Sequence, residues 1–341
     1  MSWPNFWLEC DWRCQLLKPL SALVGAVAKQ RLHRFQTHPP QSPGLVIVIG
    51  NIVVGGSGKT PFIHWLAKQL EQQGLRYGVI SRGYGGKAKH WPQVVTANSS
   101  PDLVGDEPVL LARTLECPVV VAPKRAEALE KINQLYELDV VISDDGLQHY
   151  VLPRDIEIVL FDSERKNNGL GNGLCIPAGP LREPITRLDQ VDYVVFNGQR
   201  PEKGWEIQAE VGEMRLVPQG FENIKSLHSV TTDAFKGQSV YALAGIGNPS
   251  RFFQTLERLG IESECLAFDD HYAYTEADFS ALDPNKPVLM TRKDAVKCQE
   301  FAKDHWWALD IEPQCSVDFS RSLLQRICSH PKLTGHPCYE S

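Results

Sequence analysis

Residues 50–60 read Gly-Asn-Ile-Val-Val-Gly-Gly-Ser-Gly-Lys-Thr. Glycines, a lysine and a hydroxyl at this spacing suit a loop that cradles phosphate. Its successive backbone N–H groups converge on the β- and γ-phosphates at the positive end of the helix that follows. The nucleotide-binding residues expected on this reading are Val54, Gly55, Gly56, Ser57, Gly58, Lys59 and Thr60. Lys59 would neutralise phosphate charge and the Thr60 hydroxyl would ligate magnesium. The G-x-x-x-x-G-K-[ST] pattern asks for glycine at position 53, where this chain has Val53, so the loop is a variant. Acidic help for the metal comes from Val140-Val141-Ile142-Ser143-Asp144-Asp145, an apolar run ending in adjacent carboxylates. Such a pair repels unless a cation or protons intervene. The sequence leaves open which of Asp144 and Asp145 would touch the metal directly.

These residues need a scaffold, and residues 44–200 supply its pattern. Strand signals at Leu45–Ile49, Tyr77–Ile80, Pro118–Val121, Val140–Ile142, Ile156–Phe161 and Tyr193–Phe196 alternate with helix-period stretches such as Phe62–Gln72. Apolar strands without alternation, separated by helices, predict a parallel sheet covered on both faces, the doubly wound α/β class of P-loop proteins. Residues 204–237 read as a polar connection with a short hairpin about Trp205–Val217. A smaller α/β unit follows over 238–341, with strands Ser239–Ala244 and Pro287–Thr291. Its helix Pro249–Leu259 opens on proline, and Thr275 and Asp278 are spaced for a capping box. The expected divisions are therefore an N-terminal segment 1–35, a P-loop unit 36–203, the connection and the smaller unit.

The chain has 341 residues, 43% apolar and 22% charged, which excludes wholesale disorder. Its net charge of −6 excludes a nucleic-acid footprint on the bulk surface. Residues 1–40 nevertheless carry five Lys/Arg against two acids, a balance of +3, so −9 falls on the rest. Nine cysteines without a C-x-x-C pair read as reduced thiols of a cytosolic protein. The longest uncharged run near the start, Pro19–Ala28, is half of what a bilayer span needs, and no removable signal is evident.

Further polar, glycine-rich stretches lie near strand ends, where open α/β sheets place ligands. They are Ser81–Gly86, Gly105-Asp-Glu-Pro108, Asp144-Asp-Gly-Leu-Gln-His149, Gly171-Asn-Gly173, Pro177–Pro184 and Phe268-Asp-Asp-His-Tyr272. With Ala244–Pro249 and Thr291-Arg-Lys-Asp-Ala-Val-Lys297, the chain resembles the tetraacyldisaccharide 4′-kinases, or lipid A 4′-kinases, along essentially its whole length. The resemblance implies ATP- and Mg2+-dependent phosphorylation of the 4′-hydroxyl of a tetraacylated glucosamine disaccharide 1-phosphate, at the cytoplasmic face of the bacterial inner membrane. It further implies Asp106 as general base, His271 as its partner, and Asp144 and Asp145 at the metal. Arg82, Tyr84, Gln148, Arg182 and Glu183 match positions lining the site. The chemistry agrees: a sugar hydroxyl needs a carboxylate close by to accept its proton, and pairing Asp106 with His271 requires the flanking units to close.

Trp3, Phe6, Trp7, Trp12, Leu16, Leu17, Leu20, Leu23, Val24 and Val27 precede the basic patch of Lys29, Arg31, His33 and Arg34. That pattern suits a helix lying in a membrane interface, the alternative being a helix packed on the protein body. Deleting residues 1–30 is expected to weaken vesicle binding more than ATP binding. No nucleic acid or obligate protein partner is expected. Two rivals are a GTPase and an ATP-binding scaffold. The guanine-reading N/T-K-x-D is missed, because Thr291-Arg-Lys-Asp294 has its lysine one place late. Gly245-Ile-Gly247 lacks the third glycine of a dinucleotide fingerprint and reads as a tight strand-to-helix turn.

Overall fold

A computed structural model describes residues 3–37, 40–201, 207–270 and 272–339. Helices α1 (Asn5–Leu8) and α2 (Trp12–Thr37) precede strand β1 (Leu45–Gly50), all six residues of which are buried. Helix α3 (Lys59–Gln72) buries Phe62, Ile63, Leu66 and Leu70, one face at helical spacing. Strands β2 (Tyr77–Ser81) and β3 (Gln93–Val95) lead to helices α4 (Pro101–Val104) and α5 (Asp106–Thr114). Strand β4 (Val119–Val121), helix α6 (Arg125–Leu135), and strands β5 (Val140–Asp144), β6 (Ile156–Asp162) and β7 (Tyr193–Asn197) follow. The C-terminal part holds β8 (Glu210–Asn223), β9 (Ser229–Val230), β10 (Ser239–Ala244), α7 (Pro249–Arg258), β11 (Glu262–Ala267), β12 (Val288–Thr291), α8 (Arg292–Cys298), β13 (Trp306–Cys315) and α9 (Val317–Cys328).

The strands form one hydrogen-bonded sheet in the order β11-β10-β12-β13-β8-β7-β6-β1-β5-β2-β4-β3, with β9 on β8. All neighbours from β7 to β4 are parallel. From β1 the chain winds toward β2, whereas from β6 it winds toward β7, so the crevice between β1 and β6 is a topological switch point. Ligands of open α/β sheets bind at such a crevice.

The connection expected over 204–237 differs. Trp205 lies outside the described residues, and Glu210–Asn223 is one 14-residue strand instead of a short hairpin. Its first part pairs in parallel with β7, and from Met214 onward it pairs antiparallel with β13, which stitches the two halves into one sheet. Pro218 and Gly220 sit at a bulge where the register shifts opposite Asp310 and Ile311. A bulge is where a strand tolerates proline.

Helix α2 is two-faced. Cys14, Ser21 and Leu32 are buried, and Gly25 approaches closely enough that a Cβ would stand 3.3 Å from Pro184. The outer face carries Trp12, Leu16, Leu20, Leu23 and Val27, spaced by four, four, three and four residues; Trp12 and Leu16 are 73% and 72% exposed. Among the described residues, no helix is long and apolar enough to cross a membrane.

Trp3 and Trp7 belong to neither face. Their indoles donate to the Val54 and Pro177 carbonyls (3.1 and 2.9 Å), so these aromatics dock on the body. The expectation of uniformly reduced thiols also fails at one place. Cys10 and Cys14, four residues apart with Cα atoms at 5.2 Å, form a disulfide where α2 begins.

Candidate active site

The loop after β1 is held from three sides. The Asn51 amide, fully buried, donates to the Gly55 carbonyl (2.9 Å) and the Ser57 hydroxyl (3.2 Å). The Pro177–Arg182 segment lies beside it as an added strand: Val54 N–H donates to Pro180, Arg182 N–H donates to Ile52, and Val53 bridges Leu181. Asn197, at the end of β7, donates to the Ser57 carbonyl at 3.4 Å. Positive φ falls on Gly55 (108°) and Gly58 (90°), the latter capping α3. Position 53 is extended and buried in an apolar cluster, so the variant loop has no conformational need of glycine there.

At the end of β5 the two aspartates diverge. Asp144 is 2% exposed, and one carboxylate oxygen accepts from Ser81 at 2.9 Å while the other has no hydrogen-bond partner. Burial, reinforced by the nearby Glu107 charge and opposed by Lys59, pushes its pKa up to about 6. Burial also acts on Asp145, but Lys59, Arg182 and Arg125 outweigh it and hold that carboxyl well below the usual range. Lys59 Nζ stands 3.3 Å from Asp145, and Arg182 Nη1 lies 3.2 Å from each of its oxygens. Arg125, 1% exposed, clamps both backbone carbonyls from α6.

Helix α5 begins on the left-handed side of glycine space. Gly105 has φ +93°, and a Cβ there would stand 2.6 Å from the Tyr84 carbonyl, so the Ser81–Gly86 stretch fixes where Asp106 and Glu107 project. Across the cleft α8 presents lysines. Lys293 Nζ reaches Glu107 (2.9 Å), Asp270 (3.3 Å) and Asp106 (3.9 Å), and Lys297 Nζ reaches Asp106 at 3.6 Å. Burial would lower the Lys293 pKa, but Glu107, Asp106 and Asp270 raise it well above its ordinary value.

The phosphate-type loop from Val54 to Thr60, together with Arg82, Tyr84, Asp144, Asp145, Gln148 and Arg182, lines a single cleft of about 2630 Å³. His271 lies outside the described residues; its neighbour Asp270 borders the cleft. Glu183 differs from its expected place. At 2% exposed it accepts from Gln148 (2.8 Å) and Tyr150 (2.5 Å) and faces Arg187, so it braces Gln148 from behind. Gly171-Asn-Gly173 is likewise no ligand loop: Asn172 holds the Phe6 and Trp7 carbonyls, and a Cβ on Gly171 would lie 2.5 Å from the latter. Thr291 and Asp294 cap α8 and tie it to Gly245 instead of reading a base.

Glu107, Lys293, Lys297 and Arg125 were absent from the expected site. Glu107 was signalled by its place in Gly-Asp-Glu-Pro and the lysines by their run after β12. Arg125 had no signal, since an arginine in a first helical turn is usually solvated.

A family model described as Tetraacyldisaccharide-1-P 4'-kinase matches residues 13–328. The Tetraacyldisaccharide 4'-kinase of Hydrogenovibrio crunogenus is 50% identical over 96% of this chain and 98% of its own. That of Haemophilus influenzae is 45% identical, over 91% of each. The crystal structure of LpxK from Aquifex aeolicus in complex with ATP superposes with a TM-score of 0.77 at 29% identity, covering 92% of this chain and 99% of that one. A doubly wound sheet, a phosphate-type loop, an aspartate pair and a likeness running end to end lead to one assignment: this chain belongs to the tetraacyldisaccharide-1-phosphate 4′-kinase family.

Proposed function

We propose that the chain transfers the γ-phosphoryl group of ATP to the 4′-hydroxyl of a tetraacylated glucosamine disaccharide 1-phosphate, a step toward lipid A. The observation that carries the residue roles is the convergence of the Val54–Thr60 loop, the Asp144–Asp145 pair and Glu107 on one cleft, with the buried Asp106 next to Glu107 in the first turn of α5. The loop amides and Lys59 bind the triphosphate. Thr60 and Asp144 are suited to hold magnesium, and the buried, unpartnered Asp144 oxygen fits that ion's habit of taking one or two carboxylates beside phosphate oxygens. Magnesium, when bound, neutralises charge on the transferring phosphoryl group. Asp145, paired with Lys59 and Arg182, orients both cations toward the phosphates.

Asp106 serves as the general base that accepts the 4′-hydroxyl proton, and His271 is assigned the role of its partner. Lys293 and Lys297, 3.9 and 3.6 Å from the Asp106 carboxylate, draw α8 onto α5. Closing these elements would exclude water and limit ATP hydrolysis.

The acceptor's acyl chains stay in a bilayer at about 0.8 kcal/mol per CH₂, so the enzyme must approach the lipid. The outward apolar face of α2, with the basic residues at its end, supports peripheral binding at the cytoplasmic face of the inner membrane. The deciding assay incubates the protein with Mg-ATP and the tetraacylated disaccharide 1-phosphate and looks for a bisphosphorylated lipid. Asp106→Ala should abolish transfer and leave ATP affinity within about threefold. Near-normal turnover in that variant removes Asp106 from the base role.

A further inference from the structure

Asn197 ends β7 at the C-terminal edge of the sheet, on the side of the switch point opposite Asp144. The residue is 3% exposed and borders the cleft. Its amide is half used: Nδ2 donates to the Ser57 carbonyl at 3.4 Å, whereas Oδ1 is buried without a hydrogen-bond partner. Leaving a buried acceptor unmet is costly unless a ligand meets it.

The surroundings hold the residue in place. A Cβ on Gly58 would stand 2.4 Å from Nδ2, so loop and amide are in close register. The following Gly198 has φ +117°, and a Cβ there would stand 2.3 Å from the Ser163 hydroxyl. Ser163, at the end of β6, spends its N–H (3.2 Å) and its hydroxyl (3.1 Å) on the Asn197 carbonyl. The backbone of Asn197 is thus pinned by β6 and its amide nitrogen by the phosphate loop, leaving the buried amide oxygen of this cleft-bordering residue as an unfilled acceptor.

We propose that Asn197 is the base-reading residue of the nucleotide site, its Oδ1 accepting from the exocyclic 6-amino group of adenine. This deepens the proposed function and rests on its assignment of the Val54–Thr60 loop to phosphate. A phosphate group on that loop leaves the nucleoside near the ends of β6 and β7, where no other described side-chain amide oxygen bordering the cleft is both buried and unpartnered. An acceptor at this place selects a donor. Adenine presents an amino group at carbon 6, hypoxanthine an oxygen, and unsubstituted purine neither. Two facing acceptors, or an unmet one, weaken the complex.

The test measures equilibrium binding of ATP, ITP and purine riboside triphosphate, each with Mg2+, to the full chain. Wild type should bind ATP about tenfold or more tightly than either analogue. In Asn197→Ala the three affinities should fall within about threefold of one another, and loss of the Ser57 anchor would weaken all three equally without restoring the preference. Asn197→Asp, which keeps an oxygen acceptor, should retain the order ATP over purine riboside triphosphate. Equal wild-type binding of the three, or an unchanged preference in Asn197→Ala, overturns the proposal, and the wild-type comparison stands even if the alanine variant does not fold. Lys59→Ala separates the underlying reading: it should weaken all three nucleotides together, and unchanged binding there refutes the phosphate loop instead of Asn197.

Discussion

At the scale of single residues, the site divides one pair of carboxylates into two states. Asp145 stays ionised because three cations face it, whereas Asp144 is buried with the Glu107 charge nearby and titrates near 6. A raised carboxyl favours the protonated folded state, so its stabilising contribution is present below the unfolded value and is lost as pH rises through about 6. Asp144→Asn should therefore stabilise the ligand-free protein at neutral pH, by roughly 2–3 kcal/mol in denaturant titrations. Magnesium needs the ionised form, so Mg-ATP affinity in the wild type should decline as pH falls below about 6. The Asn variant should bind Mg-ATP weakly and show no such inflection. An identical pH profile in both proteins would separate Asp144 from the metal.

At the scale of elements, two local rules gave way to packing. Val53 replaces a pattern glycine because its backbone is extended against Leu181 and its side chain fills an apolar cluster. Val53→Gly restores the pattern by letter, yet it should cost about 2–4 kcal/mol in thermal or chemical unfolding and leave ATP affinity within about twofold. Helix α2 departs from the usual amphipathic arrangement by showing its large apolar side chains to the outside. Leu16→Glu with Leu23→Glu should leave the melting temperature within a few degrees, since both side chains are exposed, while reducing binding to anionic vesicles about tenfold or more. Unchanged vesicle binding rejects the membrane face. Surface substitutions are the better probe here, because deletion of residues 1–30 would also remove the Trp3 bond to Val54 and with it a support of the phosphate loop.

At the scale of the whole molecule, β8 makes one sheet of two α/β halves, and α8 faces α5 across the cleft through Lys293. That lysine pairs with Glu107, whose charge raises Asp144. Lys293→Ala should lower kcat about tenfold with ATP affinity little changed, and it should also move the pH inflection of activity upward, because the unscreened Glu107 raises Asp144 further. A purely structural lysine would reduce kcat without displacing that inflection, so a static profile overturns the electrostatic role.

The amino-acid sequence determined what neighbours along the chain can determine. The strand–glycine loop–helix run, the aspartates closing β5, the parallel α/β pattern and the capping box at Thr275 all depend on backbone periodicity or on contacts a few residues apart. Only the tertiary structure decided which polar stretches meet the ligand and which brace the scaffold. Glu107 and Lys293 meet across 186 residues of chain, Glu183 turns inward to Tyr150, and Gly171-Asn-Gly173 clasps the N-terminal aromatics. Polar side chains make the contacts in all three cases. What separates them is burial and the charges brought alongside, and those exist only once the sheet has assembled.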